Sequence, residues 1–337
     1  MSIKSLIKKG ILKSGLLRFK RLFMPKTAVI LYFHSVSHDR DGQRYYVAPG
    51  ITASAETFRK YMLLLKERFH PVTLDEIADW VNGNKEIPAR SVAITFDDGF
   101  ADNYHVAAPI MEEFGIRGTF YLTTGCVEKQ TLPWFCKTLY LFEHARSKGL
   151  FLRDPLARRD WQLSLPKENR EAFRFHNNQC ATFSWKQQSE RIEWLEKHLS
   201  LKYNELDAPR MMTWEMAREL IQRGHTIGNH TYSHPNVGHI SAEDRQSEIV
   251  ESHRLLEKKL GQVPKHFSYP HPCLSPQRNR ESDELVRSLG YQTTVLTEQG
   301  EIRRETSPFH LPRVSISEMP IDAFLWKLET AFAGIKT

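Results

Sequence analysis

The chain of 337 residues can bury one large core or two smaller ones, and its 40% hydrophobic and 26% charged content is ordinary for a soluble globular protein. The formal net charge of +7 is a local property, because residues 1–26 carry eight Lys or Arg and no acid, leaving the rest neutral within one charge. No run approaches the ~20 apolar residues of a membrane-spanning helix. No basic stripe with interleaved aromatics marks a nucleic-acid surface, so no nucleic acid partner is expected.

In the N-terminal arm Leu12, Leu16, Phe19 and Phe23 form one helical stripe, Ile3, Leu6 and Ile7 lie on another face, and Gly10 and Gly15 weaken the pattern. A basic, imperfectly amphipathic helix of this kind suits docking of residues 1–24 on an anionic membrane surface, or packing on the domain. Lysines break every apolar run before a signal-peptide core develops. The four cysteines show no C-x-x-C spacing. The expectation is a cytoplasmic chain with reduced thiols, peripheral at the inner face of the membrane if the arm docks.

From residue 27 onward short apolar runs alternate with helical patterns. Ala28–Phe33 reads as a strand ending at His34, and helices follow near 55–68 and 74–82. Val92–Phe96 reads as a buried strand that stops at Asp97, Asp98 and the breaker Gly99, before a helical pattern over 102–114. Thr119–Leu122 is a further strand. Residues 129–210 depart from the alternation, being helical, charged and dotted with Trp134, Trp161, Trp185 and Trp194. They read as a subdomain inserted between two strands: a lid, a substrate platform or a surface elaboration. Thr213 caps a helix closing at Gly224, and Ser241 with Asp244 opens one closing at Gly261. Strands at Thr226–Gly228, Phe267–Tyr269 and Thr293–Leu296, with a helix over 281–289, complete the series. Such alternation predicts a parallel sheet and an α/β barrel, with functional groups at the C-terminal ends of the strands. His34, Asp97, Asp98 and His230 all fall there.

Two stretches carry chemistry. HTYSH, residues 230–234, puts His230 and His234 four apart, a spacing that serves a metal ion or an ordinary surface pair. The Asp97-Asp98-Gly99 run is good turn and helix-cap chemistry, yet two adjacent carboxylates at the end of a buried strand are costly unless partnered. Together they offer one or two carboxylates and two imidazoles, the donor set of a catalytic zinc site with one carboxylate to spare.

TFDDG at 95–99 followed by HTYSH at 230–234 resembles the first two motifs of the NodB-type polysaccharide deacetylases, carbohydrate esterase family 4, over about residues 28–315. The resemblance implies a distorted (β/α)7 barrel and a metal-dependent enzyme that removes N-acetyl groups from the N-acetylhexosamine units of a polysaccharide or lipid-linked saccharide in surface-glycan metabolism. It makes Asp97 the catalytic base and Asp98, His230 and His234 the ligands of one divalent ion, zinc by default, with nickel, cobalt or iron accepted by the same donors.

The departures matter. FSYPHP at 267–272 lacks the arginine of the family's R-P-P-Y-G motif and puts His271 at its aromatic position, where substrate contact is expected. The late Leu-x-His motif is missing, and His310 stands before Leu311 in the wrong order. LYFHSVS at 31–37 instead resembles the opening of the circularly permuted poly-N-acetylglucosamine deacetylases, which moves the general acid to His34. Arg313 is either a replacement for the missing arginine or a surface residue. Backbone N–H near Tyr269 is expected to complete an oxyanion hole. Two alternatives stand beside this reading: a hydrolase of a non-sugar amide, and a catalytically inactive glycan-binding module.

Overall fold

A computed structural model describes residues 26–37, 48–203, 211–270 and 275–335. The arm of residues 1–25 and His271 lie outside the described residues, so the membrane-docking and His271 expectations find no geometry. Among the described residues no helix is long and apolar enough to cross a membrane.

Eight parallel strands make the central sheet. In chain order they are β1 (Ala28–Phe33), β4 (His70–Pro71), β5 (Ser91–Phe96), β6 (Thr119–Leu122), β9 (Thr226–Asn229), β10 (His266–Ser268), β11 (Thr293–Val295) and β12 (Val314–Ser315). Two separate ladders are β2 (Ser35–Ser37) with β3 (Thr52–Ser54), and β7 (Phe151–Asp154) with β8 (Arg159–Gln162). The spatial order is β11-β10-β9-β6-β5-β1-β12, with β4 also against β5. The curled sheet is drawn together by the segment before β12. Leu311 bridges to Val295 in parallel, Leu296 N–H donates to the Leu311 carbonyl (2.9 Å), and Arg313 N–H donates to the Glu298 carbonyl (2.8 Å). These bonds link the last strand to β11 on one side while it pairs with β1 on the other, which gives the barrel-like form expected from the strand-helix alternation.

Strands β1, β5 and β6 are buried along their whole length because both sheet faces are covered, which explains their unbroken apolar runs. Alternate residues serve opposite faces. Val29, Leu31 and Phe33 join the outer core, where Phe96 stacks on Phe33 at 5.5 Å and on Phe120 at 4.9 Å. Ala28 and Ile30 point the other way, to an inner core with Ala93, Tyr121, Val295 and Leu311.

Register brings the strand ends together. Phe33 pairs with Phe96, Leu122 with Asn229, and Asn229 with Phe267. The residues that follow, His34, Asp97 and His230, therefore emerge on one rim. Their backbones are tied to neighbouring strands: Asp97 N–H donates to the Phe33 carbonyl, and His230 N–H to that of Leu122, both at 3.0 Å.

Two departures from the sequence pattern have local causes. The helix expected at 102–114 opens as a π-turn, Asn103–Ala107, before regular helix Ala108–Glu113, where Pro109 occupies the first turn and needs no N–H partner. Strand β12 has only two residues beyond Pro312, too short to show periodicity. Between β6 and β9 stand three long helices, Trp134–Ser147, Pro166–Ala181 and Trp185–Leu199, with the β7–β8 hairpin. Their own buried centre pairs the Asp154 carboxylate with Arg191 (2.5 Å) and His176 (3.1 Å).

Candidate active site

Asp97 and Asp98 follow β5 and are both buried, yet they meet opposite surroundings. Arg313 grips Asp97 with both arms: Nη1 donates to Oδ1 and Nη2 to Oδ2, each at 2.8 Å. The remaining guanidinium donors reach the Leu296 carbonyl (3.0 Å), Thr95 Oγ1 (3.2 Å) and Ser268 Oγ (3.0 Å), so every N–H has an acceptor. The cation also lies 4.3 Å over the Tyr32 ring. Arg313 is fully buried, which overturns the surface alternative. Burial alone would push the Asp97 carboxyl up; the Arg313 guanidinium, bonded to both of its oxygens, outweighs it and holds the group well below the usual carboxylate range.

Asp98 has no such counter-ion. Both carboxylate oxygens are buried without a hydrogen-bond partner among the described residues. Burial and the neighbouring Asp97 charge together push its carboxyl well above the usual range. Its Oδ1 lies 3.6 Å from His230 Nε2 and 3.3 Å from His234 Nε2, and the ligand atoms of all three residues fall within 4.8 Å of one another. The His230 tautomer follows from its other nitrogen. Nδ1 lies 2.8 Å from the Ser268 carbonyl, which can only accept, so Nδ1 carries the hydrogen and Nε2 presents a lone pair. Burial keeps His230 below its ordinary value, hence neutral. An ionised Asp98 and the His230 lone pair are both acceptors, so in that state only a shared cation can join them. The set fits a divalent cation held by Asp98, His230 and His234.

The backbone here is strained and held in place. Asp98 (φ 75°), Thr231 (φ 65°) and His234 (φ 64°) all adopt the left-handed region, at roughly 1–3 kcal/mol each. Thr123 N–H donates to the Asp98 carbonyl (3.2 Å), and Thr124 N–H to that of Thr231 (3.1 Å). Gly99 (φ 86°) completes the turn, and a Cβ there would stand 3.0 Å from Leu122 Cδ2. Glu248 clamps the histidine turn from the helix Ala242–Leu260: Oε2 accepts from the N–H of Tyr232 (3.0 Å) and Ser233 (2.7 Å), and Oε1 from Ser233 Oγ (2.5 Å). Replacing Glu248 with Leu leaves two buried N–H groups without acceptors beside strained backbone. Cation affinity is expected to fall by about tenfold with the three ligands intact, as read by competition with a chromophoric chelator.

His34 follows β1 and lines the same cavity as Asp97, Asp98, His230 and His234. Its carbonyl accepts from Asn103 Nδ2 (2.6 Å), and its Nδ1 is buried without a hydrogen-bond partner among the described residues. Burial lowers its imidazole to about 4 despite the opposing pull of Asp97, so it rests neutral near pH 7 and not as the protonated acid that the sequence pattern suggests.

Tyr269 also lines the cavity, but its backbone N–H is committed to the Val295 carbonyl (3.2 Å). The N–H of Tyr269 itself is therefore not the oxyanion donor expected near it: β10–β11 pairing uses it. Its hydroxyl is likewise engaged, donating to Asp283 Oδ1 (2.9 Å). His310 pairs with Arg278 at 2.7 Å and is not part of the cavity.

The cavity measures about 320 Å³, and the inserted helices supply much of its apolar wall through Trp134, Phe135, Leu139 and Phe173. Sequence reasoning missed Ser268, Glu248 and these wall residues. Glu248 had a signal, since it falls on the face of its helix that also carries Ile249, Ser252 and Leu256; Ser268 had none beyond standing next to Tyr269.

Comparison with known proteins agrees with this geometry. The chain is 20% identical over 294 residues to the putative polysaccharide deacetylase YxkH of Bacillus subtilis (strain 168), covering 87% of this chain and 72% of that one. Over 87 residues it is 28% identical to the poly-beta-1,6-N-acetyl-D-glucosamine N-deacetylase of Escherichia coli (strain K12), 26% of this chain and 12% of that one. The fold matches the Streptococcus pyogenes deacetylase PplD, solved in complex with acetate, with a TM-score of 0.58 at 18% identity, covering 87% of this chain and 94% of that one. Residues 84–294 match the polysaccharide deacetylase family model, a span that holds Asp97, Asp98, His230 and His234 and leaves His34 and Arg313 outside. With well over half of the chain inside that match, the protein belongs to the polysaccharide deacetylase family.

Proposed function

We propose that the protein is a cation-dependent N-deacetylase acting on N-acetylhexosamine units of a glycan. The observation that carries this reading is the contrast between adjacent carboxylates in one cavity: Asp97 gripped by Arg313, and Asp98 left to share a cation with His230 and His234. The relative from Escherichia coli, named for de-N-acetylation of poly-N-acetylglucosamine, supports the substrate class.

A divalent cation at this triad, with zinc best suited to two imidazoles and a carboxylate, supplies Lewis acidity to the acetamide carbonyl and acidifies a water. The chain's residues do the rest. Arg313 fixes the Asp97 carboxylate in one orientation; Oδ1 accepts from both Arg313 and Ser268 Oγ (3.4 Å), whereas Oδ2 accepts from Arg313 alone and keeps a lone pair able to take a proton from the attacking water. The same grip weakens Asp97 as a base. Its driving force therefore depends on the acidity of the water. His34 rests neutral and serves as acid only after gaining a proton during the reaction; the proton taken by Asp97 is the one at hand. The apolar wall from Trp134, Phe135, Leu139 and Phe173 excludes bulk water and receives the acetyl methyl.

The test is acetate release from N-acetylglucosamine oligomers by zinc-loaded protein, abolished by a chelator and restored by cation. Hydrolysis of a simple acetanilide with no acetate from any sugar would overturn the substrate class. Asp98→Ala is expected to weaken cation affinity by at least about 100-fold, more than loss of an outer-shell partner, and elemental analysis after gel filtration reads it directly. Full occupancy in that variant would place the cation elsewhere.

A further inference from the structure

His34 stands at the point where the chain leaves β1. Its Nδ1 is buried without a hydrogen-bond partner among the described residues, and its ring meets Tyr32 edge to face at 5.6 Å. The imidazole is therefore placed by its main chain and by packing, not by a bond to Nδ1. That main chain is gripped from the segment that follows β5. Asn103, fully buried, donates its Nδ2 to the His34 carbonyl (2.6 Å) and to Asp102 Oδ1 (2.8 Å). A carbonyl only accepts, so the amide nitrogen must face it. Asp102 Oδ2 in turn accepts from the hydroxyl of Ser35, the residue next to His34, which is buried and opens β2.

This contact departs from ordinary helix chemistry in two ways. An aspartate just before a helix normally caps it, yet Asp102 makes no side-chain bond to its own helix. The helix also opens as the π-turn Asn103–Ala107, whose extra residue rotates what precedes it by about 100° relative to an unbroken α-helix. The carboxylate and the amide that could serve the helix serve the end of β1 instead. Residues 97–103 thus carry the proposed base, one proposed cation ligand and the hold on His34. Gly99 N–H donates to the Asp97 carbonyl (3.0 Å) and Asn103 N–H to that of Phe100 (3.1 Å), which closes the segment in two tight turns. Movement of His34 relative to Asp97 is opposed by the bonds at Asn103 and Asp102.

We propose that Asn103 and Asp102 are positioning residues for His34 as proton donor to the departing nitrogen. This inference rests on the N-deacetylase reading and deepens it. As the C–N bond breaks, the imidazolium gives its proton to the nitrogen, the amine leaves uncharged, and the imidazole returns to its neutral resting state. An amine needs that proton far more than 4-nitrophenolate does, so poor placement of His34 penalises amides and spares activated esters.

The experiment compares the zinc-loaded wild type with Asn103→Leu, which removes both bonds of the amide nitrogen, and with Ser35→Ala, which removes only the hydroxyl on Asp102. Each is assayed on N-acetylglucosamine oligomers and on 4-nitrophenyl acetate, with cation affinity and urea denaturation as checks on the fold. Asn103→Leu is expected to lose about 100-fold in kcat on the amide and less than about threefold on the ester, the low end of what a positioned acid contributes. Ser35→Ala is expected to lose about tenfold on the amide with the ester rate kept, and it decides the question if Asn103→Leu does not fold. A merely structural contact would lower the two rates together. Equal losses on amide and ester, or no loss on either, would overturn the positioning role and leave the deacetylase reading intact. If the wild type hydrolyses acetanilide but no sugar, the substrate reading falls, and the anilide-to-ester ratio of the variants decides the positioning role. A wild type that hydrolyses no amide overturns both.

Discussion

Asp97→Asn retains its cation and loses turnover by on the order of 10³-fold, because the amide keeps the carboxylate's outline but cannot take a proton from water. The structure adds a second cost. Arg313 donates to both Asp97 oxygens, and in the variant one of those positions becomes an NH2 facing a guanidinium donor. A charged arginine is then left buried with half its partner gone, so stability falls together with rate. The measurement pairs single-turnover acetate release with elemental analysis and urea denaturation. Near-normal turnover with cation bound would show that another group is the base.

Arg313→Met is expected to cost roughly 3–5 kcal/mol of stability, the range for breaking a buried ion pair from one side. Its guanidinium is fully buried and every one of its N–H groups is used, so lysine, a point charge on a flexible stem, is not expected to rescue it. Urea denaturation of single and double variants separates stability from catalysis. The double variant Asp97→Asn with Arg313→Met should lose less stability than the two single losses combined, while remaining inactive. Strict additivity would mean that the two residues are not coupled as the bidentate bonds require.

The strand-end residues were legible because parallel strands buried on both faces leave continuous apolar runs, and the first polar residue after each run marks the rim. That rule located His34 and Asp97; at β9 Asn229 comes first, and His230 was legible instead from the HTYSH spacing. Arg313 was ambiguous for the opposite reason: β12 has two residues and follows a proline, so nothing in its periodicity reveals a strand. That the N–H of Tyr269 is itself taken was not legible, because the sequence does not show which edge of β10 is paired with β11. The insertion was visible as a break in the alternation. Its contribution to the cavity was not, since packing Phe135 and Phe173 over the rim depends on how the helices Trp134–Ser147 and Pro166–Ala181 fold back. The neutral state of His34 could not be read from residue type, because burial sets it against the pull of Asp97.

The strand order divides the machinery unequally along the chain. All three proposed cation ligands lie between residues 98 and 234, whereas the arginine that grips the proposed base comes at 313, in the segment that joins the sheet to β1 and β11. During synthesis the donors for the cation therefore emerge well before the guanidinium that orients Asp97. A nascent chain halted short of Leu311 has the full ligand set and no means of directing its base. Under the proposed mechanism, a chain cut before Leu311 is expected to carry the donor triad and yet release no acetate.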